Sequence, residues 1–439
     1  MSLDLHPKLK EKLVGTLAEA LPTLEVVRGI ALTNESQQHL QTLDSSLPGH
    51  GDIADKLHRW ISDQPLSDFL MGTINNALMG DKYENGSHQP ITGLLGWSDV
   101  GAKASELIDQ FDRLPETYIV TISAPEGMDK YLEAGDGQLR LSKAARVALA
   151  TDSFSQDHPV STGDEQRDRD IWDHTLLGGL SNVGDSNYEW KGAYLQIIKQ
   201  GFLGRFTETV TEHELVGDFK ALWGVQLALG IAQRRRSWSA YPSKRKLIVH
   251  RIAGENLELT FRIELDASAS QLINDIKFND WVPGDHPLET KLGVYKLDLD
   301  KLDLMFGTSP EAERLRLAAR WLFDSYAAEN ELLAYIQAMV CLEIILGDAS
   351  LIGEIGLGEL LRNRCAYLIG KTSVQRREIL EDFKEIYDVR SHIVHRGKNR
   401  MSAREREHYG KLVWYCKRCI QEELKLLEQA RMDGEQAAD

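Results

Sequence analysis

Residues 387–398 read YDVRSHIVHRGK. They bring Arg390, His392, His395 and Arg396 within about two helical turns, and a glycine follows. In a chain of net charge −16, such a run faces something anionic or acts on it. Arg and His are also the side chains that RNA cleavage without a metal needs. An imidazole, which changes charge near neutral pH, can take the 2′-hydroxyl proton or protonate the departing 5′-oxygen. A guanidinium can hold the phosphate through two hydrogen bonds and stabilise the charge that builds on it. The 2′-oxygen attacks its own phosphorus and the 5′-oxygen leaves with a proton. The ends are then a 2′,3′-cyclic phosphate and a 5′-hydroxyl. Arg390 and His395 form R-x4-H and lie about 140° apart on an ideal helix. To meet on one phosphodiester they need a loosened last turn or a second copy of the motif across a two-fold axis. A helix whose Arg and His only cap carbonyls, or pair with Asp388 and Glu385, would carry the same pattern.

The neighbours have two readings each. Tyr387 could bond a phosphate, stack a base or pack against another helix. His392 could be a second phosphate contact or a solvated side chain. Glu343, a single acid in the apolar stretch LLAYIQAMVCLEIILG (332–347), could hold Arg390 or Arg364 in a buried pair. Arg396, Lys398, Arg400, Arg404 and Arg406 trail the motif, either guiding an RNA backbone or forming a solvated turn.

Helices must position these residues. From Ser309 to about Arg431 the pattern is helical throughout, with short loops, which predicts an antiparallel bundle of about 120 residues. Ser309 caps and Pro310 opens the first helix; Gly347 and Gly397 close the second and fourth. Residues 1–115 read as helical, with apolar spacing of three and four over 8–21, 52–61, 66–80 and 103–114. Residues 116–300 read as mixed, a sensor or regulatory region. There 117–123 and 193–200 are strands, 151–170 a polar loop, 212–233 a long helix, and 246–252 with 257–265 a hairpin around AGEN. Residues 281–304, punctuated by Pro, Gly and Asp, read as a connector. The fold class is α+β, mainly α, with the bundle at 305–433.

Composition sets limits. At 42% hydrophobic and 27% charged, the chain is ordinary for a globular protein. The first residues lack a signal pattern, and 332–347 is too short and polar to span a bilayer; no membrane and a cytoplasmic location are expected. Four cysteines imply no disulfide framework. A four-thiolate site from Cys341, Cys365, Cys416 and Cys419 is conceivable, but apolar helical surroundings favour core thiols. No P-loop or dinucleotide-binding run occurs, and no metal or cofactor is expected. Residues 361–420 hold 15 Lys or Arg against 7 Asp or Glu, a basic region on an acidic body that suits nucleic acid. A second basic stretch, QRRRSWSAYPSKRK (233–246), interleaves Trp238 and Tyr241 with cations, as single-strand binders do; a charged connecting loop is the other reading. The acidic segment with Asp152, Asp157, His158, Asp164 and Asp168 lacks ligand spacing and reads as exposed.

The bundle resembles a HEPN domain of the Apea-like type. The resemblance rests on Leu342 and Glu343, on RNRCAYLIG (362–370) and on YDVRSHIVHRG (387–397), and covers just over a quarter of the chain. It implies a dimeric, metal-independent endoribonuclease, often an anti-phage or abortive-infection effector or a toxin, with Arg390 and His395 catalytic. Many members place Asn, Asp or His directly after the Arg; Ser391 stands here, and its hydroxyl can also bond a phosphate. RNA would be the substrate, supported by Ser391, His392, Tyr387, Glu343, Arg396 and Lys398. A phage-derived or nucleic-acid trigger would act at the N-terminal region. Some HEPN domains only bind RNA or dimerise, so a non-catalytic module, or a subunit of a defence complex, is the alternative expectation.

Overall fold

The computed structural model describes residues 2–27, 31–78, 88–133, 137–172, 188–235, 244–279, 285–299, 301–347 and 356–438. The fold is mixed α and β, largely helical, with a helical C-terminal region. The N-terminal part holds α1 (Pro7–Ala20), β1 (Glu25–Val27), β2 (Ala31–Leu32), α2 (Asn34–Thr42), α3 (Asp52–Trp60), α4 (Pro65–Ala77), β3 (His88–Pro90) and α5 (Val100–Asp112). The four expected helices are α1, α3, α4 and α5. Leu17, Leu40, Phe69, Ile74 and Phe111 form their separate core. A three-stranded sheet, β2–β1–β3, lies among them. Strands of two or three residues are too short to show a period-two pattern.

The middle part holds β4 (Glu116–Ser123), α6 (Asp129–Glu133), β5 (Gln138–Arg140), β6 (Ala145–Leu149), α7 (Asp152–Asp157), α8 (Glu165–Trp172), β7 (Ala193–Gly201), α9 (Val210–Leu229), β8 (Ala232–Arg234), β9 (Lys246–Ala253), β10 (Asn256–Glu264), α10 (Ala267–Asp275) and β11 (Ile276–Phe278). Six of these strands form an antiparallel sheet ordered β10–β9–β4–β7–β6–β5. The β9–β10 hairpin turns at Gly254, φ +64°, where a side chain would be strained. Two expectations need correction. Residues 151–170 are not one loop: Thr151 accepts a hydrogen bond from the Phe154 N–H and starts α7. Asp164 likewise accepts from the Arg167 N–H at 3.0 Å within α8's first turn. The long helix α9 stops at left-handed Gly230, and 232–234 pair instead with β11.

The C-terminal part holds α11 (Leu288–Leu299), α12 (Lys301–Met305), α13 (Pro310–Ala327), α14 (Glu331–Leu346), α15 (Leu357–Ile369), α16 (Ser373–His395) and α17 (Ala403–Ala438). The segment read as a connector is helical over 288–299 and 301–305, and buries Tyr295, Leu302 and Met305 completely. Pro287 stands directly before α11, while Pro283 and Gly284 lie outside the described residues. Helix α9, buried on every side over 221–228, packs against β7 and α13. A Cβ at Gly224 would stand 1.9 Å from the Ala319 carbonyl oxygen, so only glycine lets α9 and α13 touch there. One apolar core therefore runs from the sheet through Phe219, Trp223 and Phe323 to Phe383 and Leu424. Full burial of each Phe contributes about 2–3 kcal/mol.

Candidate active site at the end of helix α16

Helix α16 begins with a capping box, Thr372 accepting from the Gln375 N–H and the Gln375 side chain accepting from the Thr372 N–H. Ile379, Phe383, Ile386 and Val389 recur at four- and three-residue spacing and are all buried, which turns one stripe toward the other C-terminal helices. Arg390 follows that stripe and so stands at its margin. The rung is fixed from α14: the buried Tyr335 hydroxyl donates to the Ile386 carbonyl at 2.8 Å. That carbonyl is also the one Arg390's own N–H uses in an α-helix.

Arg390 Nη2 lies 3.5 Å from Glu343 Oε1. The buried Oε1 accepts no hydrogen bond, so the contact is an ion pair without hydrogen-bond alignment. Burial pushes the Glu343 carboxyl up, and Arg390 draws it back. The guanidinium also sits over the Tyr387 ring, 5.6 Å from its centre. Tyr387 in turn packs on Gly358 of α15, where an added Cβ would fall 3.1 Å from the ring. Of the two partners open to Glu343, Arg390 is the one it meets. Arg364 instead donates to the Leu346 carbonyl at 3.1 Å, satisfying the end of α14.

His395 is the last residue of α16 and is exposed. The Arg396 N–H still bonds the His392 carbonyl at 3.2 Å, and Gly397 then turns the chain at φ +62°. The last turn is therefore not loosened. Within one chain Arg390 faces α14 and His395 faces solvent, as their 140° separation requires. Ser391 and His392 are half-buried, and His392 Nδ1 lies 3.3 Å from Asp388 Oδ2.

The trailing cations do not form a free funnel. Lys398 pairs with Glu405 at 2.6 Å, Arg404 with Glu385 at 3.2 Å and Arg406 with Glu331 at 2.8 Å. Lys398 and the Ser402 hydrogen bonds hold the Glu405 carboxyl down at about 2, against the opposing effect of burial. Arg396 and Arg400 are exposed. In the second basic stretch Arg236, Trp238 and Tyr241 lie outside the described residues. Arg245 turns inward, to Asn274 at 2.6 Å and Ser123 at 3.1 Å, while Lys244 pairs with Glu264 at 3.0 Å. His158, expected in an exposed segment, is buried beneath Phe154 with rings 4.0 Å apart.

The four cysteines do converge in the helical core. Cys365 and Cys419 sulfurs lie 3.9 Å apart, and the Cys416 thiol donates to the Ala338 carbonyl. Burial pushes the Cys416 thiol up, and a hydrogen bond with Cys365 does so for Cys419. Among the described residues no group of three or more His, Cys, Asp or Glu is arranged to hold a metal ion, and no helix is long and apolar enough to cross a membrane. Tyr335 and Gly358, which set the positions of Arg390 and Tyr387, carry no signal in sequence, because their partners are distant in the chain.

Comparison with protein-family models, with curated proteins and with solved structures returns no match to this chain.

Proposed function

We propose that residues 305–433 form a HEPN-type domain and that the chain is a metal-independent endoribonuclease. The observation that carries the reading is the end of α16. There Arg390 is braced by Glu343 and Tyr387, and an exposed imidazole, His395, stands one and a half turns further on. Because the helix stays regular to His395, the reading requires a homodimer in which Arg390 of one copy and His395 of the other meet one phosphodiester. Arg390 holds the phosphate and stabilises its developing charge. His395 moves the proton of the 2′-hydroxyl or of the departing 5′-oxygen. Ser391 and His392 supply further hydrogen bonds, with Arg396 and Lys398 near the RNA backbone. The preceding 300 residues would restrain the enzyme until an infection signal, phage-derived or nucleic acid, reaches them in the cytoplasm, because an unrestrained ribonuclease is toxic to its host.

One observation favours a second reading, a HEPN module that dimerises or binds RNA, alone or within a defence complex, without cutting it. Lys398, Arg404 and Arg406 are already paired within the chain, leaving fewer cations for a substrate.

Cleavage of a labelled tRNA and mRNA pool in EDTA tests the proposal. Wild type should cut, and Arg390→Ala and His395→Ala should each lose about 100-fold or more. RNA binding without cleavage by wild type would support the module instead.

A further inference from the structure

Arg140 of β5 and Arg146 of β6 stand directly opposite each other in their antiparallel pair. Residues so placed share one face of the sheet, where like charges repel. The chain supplies neither with a counter-charge. Arg140 donates from Nε to the Ser142 carbonyl at 3.2 Å, and Arg146 donates from Nε to Gln196 Oε1 at 2.8 Å. Both acceptors are neutral, and among the described residues no carboxylate pairs with either guanidinium. Gln196 is itself fixed, donating to Thr121 Oγ1 at 2.9 Å. Each guanidinium is thus held through Nε and keeps both Nη groups for a carboxylate.

The two arginines line a cleft of about 720 Å³ together with Lys143, Lys296 and Arg431. Asp303 is the single acid among the described residues that line it, and its carboxylate accepts the Lys143 N–H at 3.2 Å. Five cations less one carboxylate give the cleft a charge of +4 in a chain of −16. Other cations near this sheet are neutralised within the chain, Lys199 by Asp218 at 3.0 Å and Lys220 by Asp324 at 2.9 Å.

The cleft also borders an open sheet edge, since β5 is the outermost strand. The Leu141 N–H bonds the Ala145 carbonyl, and the Leu149 N–H bonds the Gly137 carbonyl. Leu139, midway between, therefore faces β6, and the backbone groups of Gln138 and Arg140 face outward. An edge of this kind accepts a further strand. Side chains of an added strand alternate between faces, so every second one would lie on the arginine side. Ile198, two residues along β7 from Gln196 and on the same face, is 39% exposed and gives that side an apolar floor. Among the described residues none that lines the cleft is aromatic, so a nucleic-acid base has no ring to stack on.

We propose that this cleft docks an extended acidic peptide segment of a partner protein, paired along β5, with carboxylates at alternate positions on the Arg140 side. The assignment uses none of the α16 residues and stands whether or not the chain cuts RNA.

Calorimetric titration of the full chain tests it with five probes. They are a peptide alternating Glu and Val, one of the same composition with Glu and Val in two blocks, the alternating peptide N-methylated at every second residue, pyrophosphate, and a short single-stranded RNA. The alternating peptide should bind, and the other four should each be weaker by about tenfold or more. Arg140→Gln should weaken that binding by a similar factor with a melting temperature no lower than wild type, because it relieves the repulsion with Arg146. Lys296→Gln, which lies outside the sheet, should also weaken it. Failure of the alternating peptide to bind, or equal binding by either variant, overturns the proposal. So does equal binding by the blocked or N-methylated peptide, which would remove the strand pairing, or by pyrophosphate or RNA, which would make the cleft a general anion site.

Discussion

Arg390 of α16 meets Glu343 of α14 at 3.5 Å, with the carboxylate oxygen buried and without a hydrogen-bond donor. Burial thus pushes the carboxyl up, and one guanidinium draws it back. Glu343→Gln removes the charge and keeps the shape. The pair is unaligned and partly solvated, so stability should change by no more than about 1 kcal/mol. On the ribonuclease reading, cleavage should fall about tenfold as Arg390 loses its brace. Urea melts and cleavage rates measured side by side check this; a large stability loss with unchanged cleavage would make the pair purely structural.

Removing the other partner has a pH signature. In Arg390→Ala the Glu343 pKa should rise further above its unfolded value. The folded state then holds a proton that the unfolded state releases, so the added destabilisation grows as pH rises above about 4.5. Melting temperatures at pH 5 and pH 8 should show a larger gap from wild type at pH 8. A gap that is constant, or larger at pH 5, would contradict the pairing.

The regular end of α16 makes a prediction about copies. If Arg390 and His395 of one site come from different chains, Arg390→Ala and His395→Ala each inactivate, but a heterodimer of the two retains one intact site. Co-expressed variants should recover about a quarter of wild-type cleavage at random pairing. No recovery would place both groups of a site on one chain or neither in it.

His250 of β9 is fully buried, with Nε2 2.8 Å from the Pro159 carbonyl and the His158 ring beside it. Burial lowers its pKa to about 4. Between that value and the unfolded 6.5, the unfolded state binds the extra proton, so stability should fall as pH drops through this window. The loss is about 3 kcal/mol at most. Glu212, which burial raises to about 7, has the opposite slope, losing stability as pH rises from 4.5 to 7. The two slopes offset each other between about 4.5 and 6.5, so His250→Asn should expose the Glu212 slope, with the melting temperature falling as pH rises through that window; a variant profile as flat as wild type there would contradict the assignment.

Much of the helical C-terminal part is legible because helix ends carry local chemistry: Ser309 with Pro310, and Gly397 after His395, mark boundaries within one or two residues. Strands β5 and β6 are not, since QLR and ARVAL are short and only pairing makes them strands. Residues 281–304 mislead because a proline such as Pro287 marks helix entry as well as linkers. At the candidate site the residue types could be read, but Glu343's choice of Arg390 over Arg364, and the pairing of Lys398 with Glu405, depend on contacts between separate elements.

The most direct measurement is the chemistry of the cut ends. Labelled RNA would be incubated with wild type in EDTA, and both termini of each product identified. The account predicts 2′,3′-cyclic phosphates and 5′-hydroxyls that vanish in Arg390→Ala and in His395→Ala. Products with 5′-phosphates, or cyclic-phosphate cleavage that persists in both variants, would contradict it.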